Sequence, residues 1–451
     1  MRLTFLGATE TVTGSKFLLE TEKSKVLIDC GLFQGLKELR LKNWTALPFD
    51  PASLDAVVLT HAHIDHTGYL PVLFKQGFRG PVYATRATHD LCTILLPDAG
   101  YLQEEDARFA NQKGYSKHKP AEPLFTEALA HRSLSLFRNV EIEKSFRISD
   151  DVEVFMTPAG HILGATSVHL RHQGRHFVFS GDVGRPNDPL MKPPQRLKEA
   201  DVLVLESTYG ERLHDPSDPK ERIAAIVHRA VKQGGVIVIP AFAVGRSQTI
   251  MYLLSQLKKE KKIPDIPIYL DSPMAIAATE IFCAYRDEHK ISAEEVKAMC
   301  EPVTYVHTSE ESKMISHKKG PMVIISASGM AGGGRVLHHL KMFAPDEKNT
   351  VLFVGYQPAG SRGEAMLAHV PTIKIHGEYV PMRARVENLE SLSAHADAKE
   401  LIDWVQSIKR SPQQIFLVHG EPSSQDALRR SLYDELKWNA SIPHYGETVK
   451  V

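Results

Sequence analysis

The chain has 451 residues, more than one ordinary core accommodates, so two or three domains are expected. Hydrophobic residues make up 43% and charged residues 24%, an ordinary balance for a globular protein. Lys+Arg and Asp+Glu both total 54, which excludes a protein coated in positive charge but leaves room for a local basic groove. Cys30, Cys92, Cys283 and Cys300 form no Cys-x-x-Cys pair and suggest no disulfide framework, so reduced thiols in a cytoplasmic protein are expected. The N-terminal residues lack the sustained apolar stretch of a signal peptide. The longest apolar run, residues 236–244, contains Pro240 and is too short to span a bilayer, so no membrane association is expected.

Residues 3–7, 16–20 and 25–30 read as strands, being β-branched or large apolar runs separated by turn formers. A strand at 55–60 follows and delivers His61-Ala62-His63-Ile64-Asp65-His66. A helix is expected from Thr67, interrupted near Pro71, with further helices at 99–111 and 126–138. Strands resume at 152–157, 166–171 and 177–180, which predicts a layered α/β or α+β domain over residues 1–208. From there the rhythm changes. Runs at 202–206, 236–240, 268–271, 322–326 and 351–355 are short and almost continuously apolar. Helical segments at 219–232 and 247–260 separate the first three, and others follow residues 271, 334 and 363. Such a pattern predicts a parallel sheet covered on both faces, in a domain spanning 209–380. Residues 381–451, with strands at 380–387 and 414–419 and helices at 397–408 and 424–436, are expected to rejoin the first domain.

The chemistry concentrates where strands end. Residues 61–66 offer three imidazoles and a carboxylate, the ligand mixture that zinc binds. His61 and His63, two apart on extended backbone, can converge on one ion. Asp65 and His66 follow a change of direction and can face a second. Three more apolar runs stop at a ligand-type residue beside glycine: Gly160-His161, Gly181-Asp182 and His419-Gly420. Small neighbours let backbone fold close to an ion. These residues by themselves point to a two-metal hydrolase.

The set Asp29, His61-x-His63-x-Asp65-His66, His161 and Asp182 resembles the signature of the metallo-β-lactamase superfamily. Glu206, His395 in Ser-Ala-His-Ala-Asp, and His419 resemble the three further motifs of its β-CASP branch of nucleic-acid nucleases. The resemblance implies a four-layer αββα fold with an inserted β-CASP domain, a parallel sheet flanked by helices. It implies two zinc ions, one held by His61, His63 and His161, the other by Asp65, His66 and His419, with Asp182 bridging them. Asp29 would orient the ligand loop. Asp65, Glu206 and His395 would serve catalysis, His395 protonating the departing oxygen under the orientation of Glu206. A histidine at 419 goes with RNA-processing members of the branch. The expectation is therefore a zinc-dependent ribonuclease on single-stranded RNA, endonucleolytic, with 5′→3′ exonuclease action open. A DNA nuclease and a non-catalytic nucleic-acid-binding scaffold are the alternatives. A homodimer and a recruiting protein are both left open.

Substrate grip is expected from the inserted domain. Ser328 and Gly329, in a glycine-rich run leading to Arg335, follow a strand and precede a helix, where backbone N–H groups suit phosphate. Arg246 and Arg362 repeat the strand, loop, helix arrangement, and arginine meets phosphate oxygens bidentately. Ser393 resembles a serine that holds the scissile phosphate in relatives.

Overall fold

Residues 1–114 and 116–451 are described in the computed structural model, and they divide into two units. The first comprises Met1–Asn187, Lys192–Leu213 and His395–Val451; the second comprises Asp188–Met191 and His214–Ala394.

Alternation of apolar side chains makes the first unit a sandwich. One sheet runs Thr448–Lys450, Arg2–Phe5, Phe17–Glu20, Lys25–Ile28, Ala56–Val58, Val82–Thr85, Phe137–Val140. It is antiparallel through Lys25–Ile28 and parallel beyond. The other runs Gln414–Val418, Val202–Glu206, Arg175–Phe179, Thr166–His172, Glu153–Pro158, Phe146–Arg147. Successive side chains of a strand face opposite ways. Phe177 and Phe179 therefore enter the shared core with Phe5, Phe17 and Phe416, while Val178 faces outward. The Phe5 ring lies 5.1 Å from Phe416 and 6.1 Å from Phe17, stitching the sheets together. Each such buried ring contributes about 1.5–3 kcal/mol. Val178, Leu203, Leu205 and Leu417 are covered by helices Ala398–Val405 and Pro422–Leu436 through Leu401, Trp404, Leu428 and Leu432. Helix Arg86–Lys113 packs against Val82–Thr85 and Phe137–Val140, completing the αββα layers.

That helix is longer than the expected 99–111. Its first half carries Thr88, Thr93, Ile94 and Pro97, weak formers individually. The side chain of Thr85 caps its start, and burial of Leu91, Cys92 and Leu96 overrides propensity. The expected helix at 126–138 is only Glu127–Ser133, because Phe137–Val140 joins the sheet.

The second unit is built on a parallel sheet in the order Val303–Tyr305, Ile268–Leu270, Met322–Ser326, Val236–Pro240, Thr350–Phe353, Arg385–Asn388. Every residue of Val236–Pro240 and Met322–Ser326 is buried, which explains their almost continuously apolar character. Asp218 caps helix Pro219–Gln233 and Ser272 caps Pro273–Ala284, each with proline in the first turn. The chain returns to the first unit at His395, not near residue 381. Arg385–Asn388 pairs with Thr350–Phe353, and Val380 and Ala384 lie in the second unit's core. Among the described residues, no helix is long and apolar enough to cross a membrane.

Candidate metal centre

The ligand-type side chains all belong to the first unit, on loops that leave its strands. His61 follows Ala56–Val58, and His63 immediately precedes the short helix Ile64–Thr67 that carries Asp65 and His66. The turn is clamped by backbone: Ser15 N–H donates to Asp65 O, Cys30 N–H to His66 O, and Leu32 N–H to Ile64 O. Gly31 passes so close that a Cβ there would collide with the Asp65 carbonyl. His161 follows Glu153–Pro158, Asp182 follows Arg175–Phe179 and His419 follows Gln414–Val418. Asp29 and His419 sit in the left-handed backbone region, at φ 58° and 50°. Such a conformation costs about 1–2 kcal/mol for a non-glycine residue. It is held by Asp29 N–H donating to Val58 O and His419 N–H to Ala8 O.

The donor atoms meet in two sets. His63 Nδ1 lies 3.1 Å from His61 Nε2 and 3.2 Å from His161 Nε2. Asp182 Oδ2 is 3.4 Å from His61 Nε2 and 3.5 Å from His161 Nε2. In the second set, His419 Nε2 is 3.2 Å from His66 Nε2 and 3.3 Å from Asp65 Oδ2. Asp182 Oδ1 is 3.3 Å from His66 Nε2. Four ligands placed tetrahedrally at zinc's usual bond length of about 2.0–2.1 Å stand about 3.3 Å apart. The spacing of both sets therefore fits a zinc ion, with Asp182 turning one oxygen to each.

Ring orientation is fixed from behind. His66 Nδ1–H donates to Asp29 Oδ2 at 2.7 Å, leaving Nε2 for the centre. Asp29 also accepts the Thr60 N–H and hydroxyl, at 2.7 and 2.9 Å. The Thr60 oxygen lies 3.0 Å from His61 Nδ1, whose N–H it accepts. Thr208 repeats this arrangement: its hydroxyl donates to Glu206 Oε2 at 2.7 Å and accepts from His419 Nδ1–H at 3.1 Å. Neither threonine stands out in the sequence; their only signal is adjacency to His61 and to Glu206.

Electrostatics follow the same division. Burial, then neighbouring imidazoles, holds His61 and His161 below the ordinary histidine range and pushes His63 down to about 3. Burial opposes charge on His66 as well, but Asp182 and Asp29 outweigh it and raise that ring well above the ordinary value. Burial would raise Asp65 and Asp182. Contact with His419 and His66 instead keeps both below the usual carboxylate range. Neutral His61, His63 and His161 beside ionised Asp65 and Asp182 are in the protonation states that a cation requires, whereas the carboxylates around His66 favour its charged form until a cation takes the proton's place.

Beside this set stands His395. Its Nδ1–H donates to Glu206 Oε2 at 3.0 Å, and its Nε2 lies 3.9 Å from Asp182 Oδ2. Glu206 is fully buried and also accepts the Val183 N–H at 2.5 Å. Burial lowers the His395 value, but Glu206 and then Asp182 outweigh it and raise it. The helix after His395 opens with a capping box between Asp397 and Glu400, which fixes the backbone there.

The remaining expected residues lie in the second unit. Arg246 is buried, with its guanidinium on Leu392 O and, at 3.3 Å, on Asp188. Arg335 donates to Asp271 Oδ1 at 2.8 Å and to the carbonyls of Val306 and His307. Arg362 donates to the carbonyls of Lys374, Ala331 and Gly332. The Ser328 hydroxyl accepts the Gly332 N–H at 2.9 Å, and Gly329 O accepts from Gln357. Ser393 is buried.

Fold and centre together define a metal-dependent hydrolase of the metallo-β-lactamase class. Comparison with known proteins agrees. Residues 12–228 match the metallo-beta-lactamase superfamily, 247–366 the Beta-Casp domain, and 371–443 the Zn-dependent metallo-hydrolase RNA specificity domain. The chain is 38% identical to "Ribonuclease TTHA0252" of Thermus thermophilus over the full length of both. It is 32% identical to "Transcription termination factor FttA" of Methanocaldococcus jannaschii, over 95% of this chain and 69% of that protein. A crystal structure of a protein of unknown function from Enterococcus faecalis V583 shares the fold, with TM-score 0.53 and 14% identity over 99% of both chains. The chain belongs to the β-CASP branch of the metallo-β-lactamase superfamily, and it is a metal-dependent nuclease.

Proposed function

We propose that this protein is a two-zinc ribonuclease that cuts single-stranded RNA internally. The observation that carries the reading is the pair of ligand sets sharing Asp182, with His395 oriented beside them by Glu206. Zinc held by these residues would offset the charge of the phosphodiester and lower the pKa of a bound water to about 7. The chain's own residues supply the rest. His61, His63 and His161 would hold one ion, and Asp65, His66 and His419 the other. Water attacks phosphorus, the bond to the 3′ oxygen breaks, and His395 gives that oxygen its Nε2 proton. Glu206 holds the imidazole's other nitrogen, so the proton is presented toward the centre. Asp65, the carboxylate of the set with more of its side chain in solvent, takes the proton that the water loses. The products are a 5′-phosphate and a 3′-hydroxyl.

RNA as substrate is supported by His419 and by full-length likeness to a protein named as a ribonuclease. In the second unit, the loop of Ser328 and Gly329, with Arg335, Arg362 and Ser393, is proposed to meet RNA phosphates, and buried Arg246 positions that chain. Four free thiols fit a reducing cytoplasm. The test is product mapping: zinc-loaded protein with internally labelled and 5′-labelled RNA, beside an Asp65→Ala control. Internal cuts ending in 5′-phosphate support the proposal. Stepwise release of mononucleotides from the 5′ end makes it an exonuclease. Equal cutting of a matched DNA strand overturns the RNA preference, and an intact RNA overturns the reading.

A further inference from the structure

The ligand turn is tied to an exposed segment that the metal chemistry does not use. After Leu32 bonds to Ile64, the chain continues through Phe33 into the short helix Lys37–Lys42 and then Trp44. Asn43 closes this loop on itself. Its side chain accepts the Phe33 N–H at 2.9 Å and donates to Phe33 O at 2.8 Å. Phe33 is further fixed by Lys16, whose ammonium lies 4.6 Å from the ring and donates to Gly31 O. The segment is therefore held at a set distance from Asp65 and His66 by paired backbone rather than hung on a tether.

Its surface is unusual for a protein exterior. Trp44 is 58% exposed and Tyr445, from the C-terminal segment, is 41% exposed. The Lys42 ammonium sits 4.3 Å from the Tyr445 ring and 5.4 Å from Phe33, and the two rings are 6.2 Å apart. Lys37 and Arg40 are exposed on the same short helix. Among the described residues, none of these three cations forms an ion pair with a carboxylate. Leu36 and Leu41 are exposed on the same segment, and Glu38 is its one carboxylate against the three cations. An exposed indole and phenol on a segment with a basic excess form a surface that single-stranded nucleic acid takes, because every base offers a π-face and every linkage a negative charge. A purely apolar protein partner would leave three cations buried without partners, which is unfavourable.

We infer that Trp44 and Tyr445, with Lys37, Arg40 and Lys42, form a stacking platform for the single-stranded RNA substrate, next to the ligand turn and within the first unit. This inference rests on the ribonuclease reading and adds a binding element to it. Bases stack on the two rings, and the three cations meet the phosphates between them. The strand is thereby gripped beyond the phosphate being cut, so longer RNA gains more than short RNA.

The test uses the zinc-loaded full chain and compares a long single strand with a trinucleotide. In Trp44→Ala, the ratio of kcat/KM for the long strand to that for the trinucleotide falls about tenfold, and Trp44→Phe recovers most of it. Replacing Lys37, Arg40 and Lys42 with alanine lowers the slope of log affinity against log salt by about 2, since each phosphate contact on a single strand contributes about 0.7. An unmoved length ratio in Trp44→Ala, or an unmoved salt slope in the triple variant, overturns the platform. A Trp44→Ala protein that changes oligomeric state while its RNA affinity stays constant makes the patch a protein interface and overturns it too. A wild type that binds the long strand with quenching of Trp44 emission, lost in Trp44→Phe, but does not cut it keeps the platform and removes the nuclease reading.

Discussion

Asp182 in the first unit and Asp271 in the second are both buried carboxylates just past the end of a strand, and both have histidine beside them. Asp271 is saturated by donors. It accepts from Ser312 at 2.5 Å, His339 at 2.6 Å and Arg335 at 2.8 Å. Asp182 has imidazole nitrogens of His66, His61, His161 and His419 around it at 3.3–3.6 Å, and among the described residues its Oδ1 accepts no hydrogen bond. The first spacing is that of hydrogen bonds to a charged acceptor. The second is that of ligands arranged around an ion. A protein can bury a carboxylate by closing a network on it or by leaving the closure to a cation, and these two residues show the two ways.

The largest effect should follow from breaking the open cluster. Asp182→Ala removes the carboxylate whose two oxygens face the two ligand sets, and nuclease turnover should fall by at least about three orders of magnitude, with metal content falling too. Retained turnover would mean that the two sets do not depend on their shared residue. His395→Ala comes next. Loss of a positioned proton donor lowers kcat by about 10²- to 10⁴-fold, while elemental analysis should find metal content unchanged. Metal loss in that variant would turn His395 into a ligand and dissolve its distinction from the seven others.

The closed cluster should respond in stability instead. Asp271→Ala leaves His339 and Arg335 facing a vacated carboxylate site, and denaturant unfolding should show a loss of about 3–5 kcal/mol with the first unit's metal content intact. Its sign with pH is fixed. Burial would raise the Asp271 carboxyl, but the bonds from His339, Ser312 and Arg335 outweigh burial and hold it below the ordinary range. The stabilisation is therefore full above the unfolded value of about 4 and is lost as pH falls through the lower folded value. Wild type and Asp271→Ala should converge in acid. A gap that widens in acid would contradict the network.

The smallest effect belongs to the supports. Thr208→Val removes the hydroxyl between Glu206 and His419, and metal affinity or turnover should fall about 10- to 100-fold. Thr208→Ser keeps the hydroxyl and should recover it. Equal loss in both variants would show that the side chain acts through packing alone.

The sequence exposed one of these clusters far better than the other. Four ligand-type residues within 61–66 are a local pattern, and His161, Asp182 and His419 each follow an apolar run beside glycine. The structure brings all of them together, with Asp29 behind His66 and Glu206 behind His395. Thr60 and Thr208 were not legible, because a threonine near a ligand is too common to carry meaning until its partners are known. The Asp271 network was hidden by distance: Ser312, Arg335 and His339 lie 41 to 68 residues away along the chain. The same holds for the guanidiniums of Arg246, Arg335 and Arg362, whose present partners are carbonyls and carboxylates remote in sequence. The return of the chain at His395 was missed because Arg385-Val386-Glu387-Asn388 has too little apolar pattern to declare which sheet it joins.

Elemental analysis of the zinc-reconstituted protein, after removal of loosely held metal, reaches the contrast between the two carboxylates most directly. Two zinc ions per chain, falling in Asp182→Ala and unchanged in Asp271→Ala, is the result expected from the geometry. A folded wild type that retains none, or a loss that follows Asp271 instead, would contradict it.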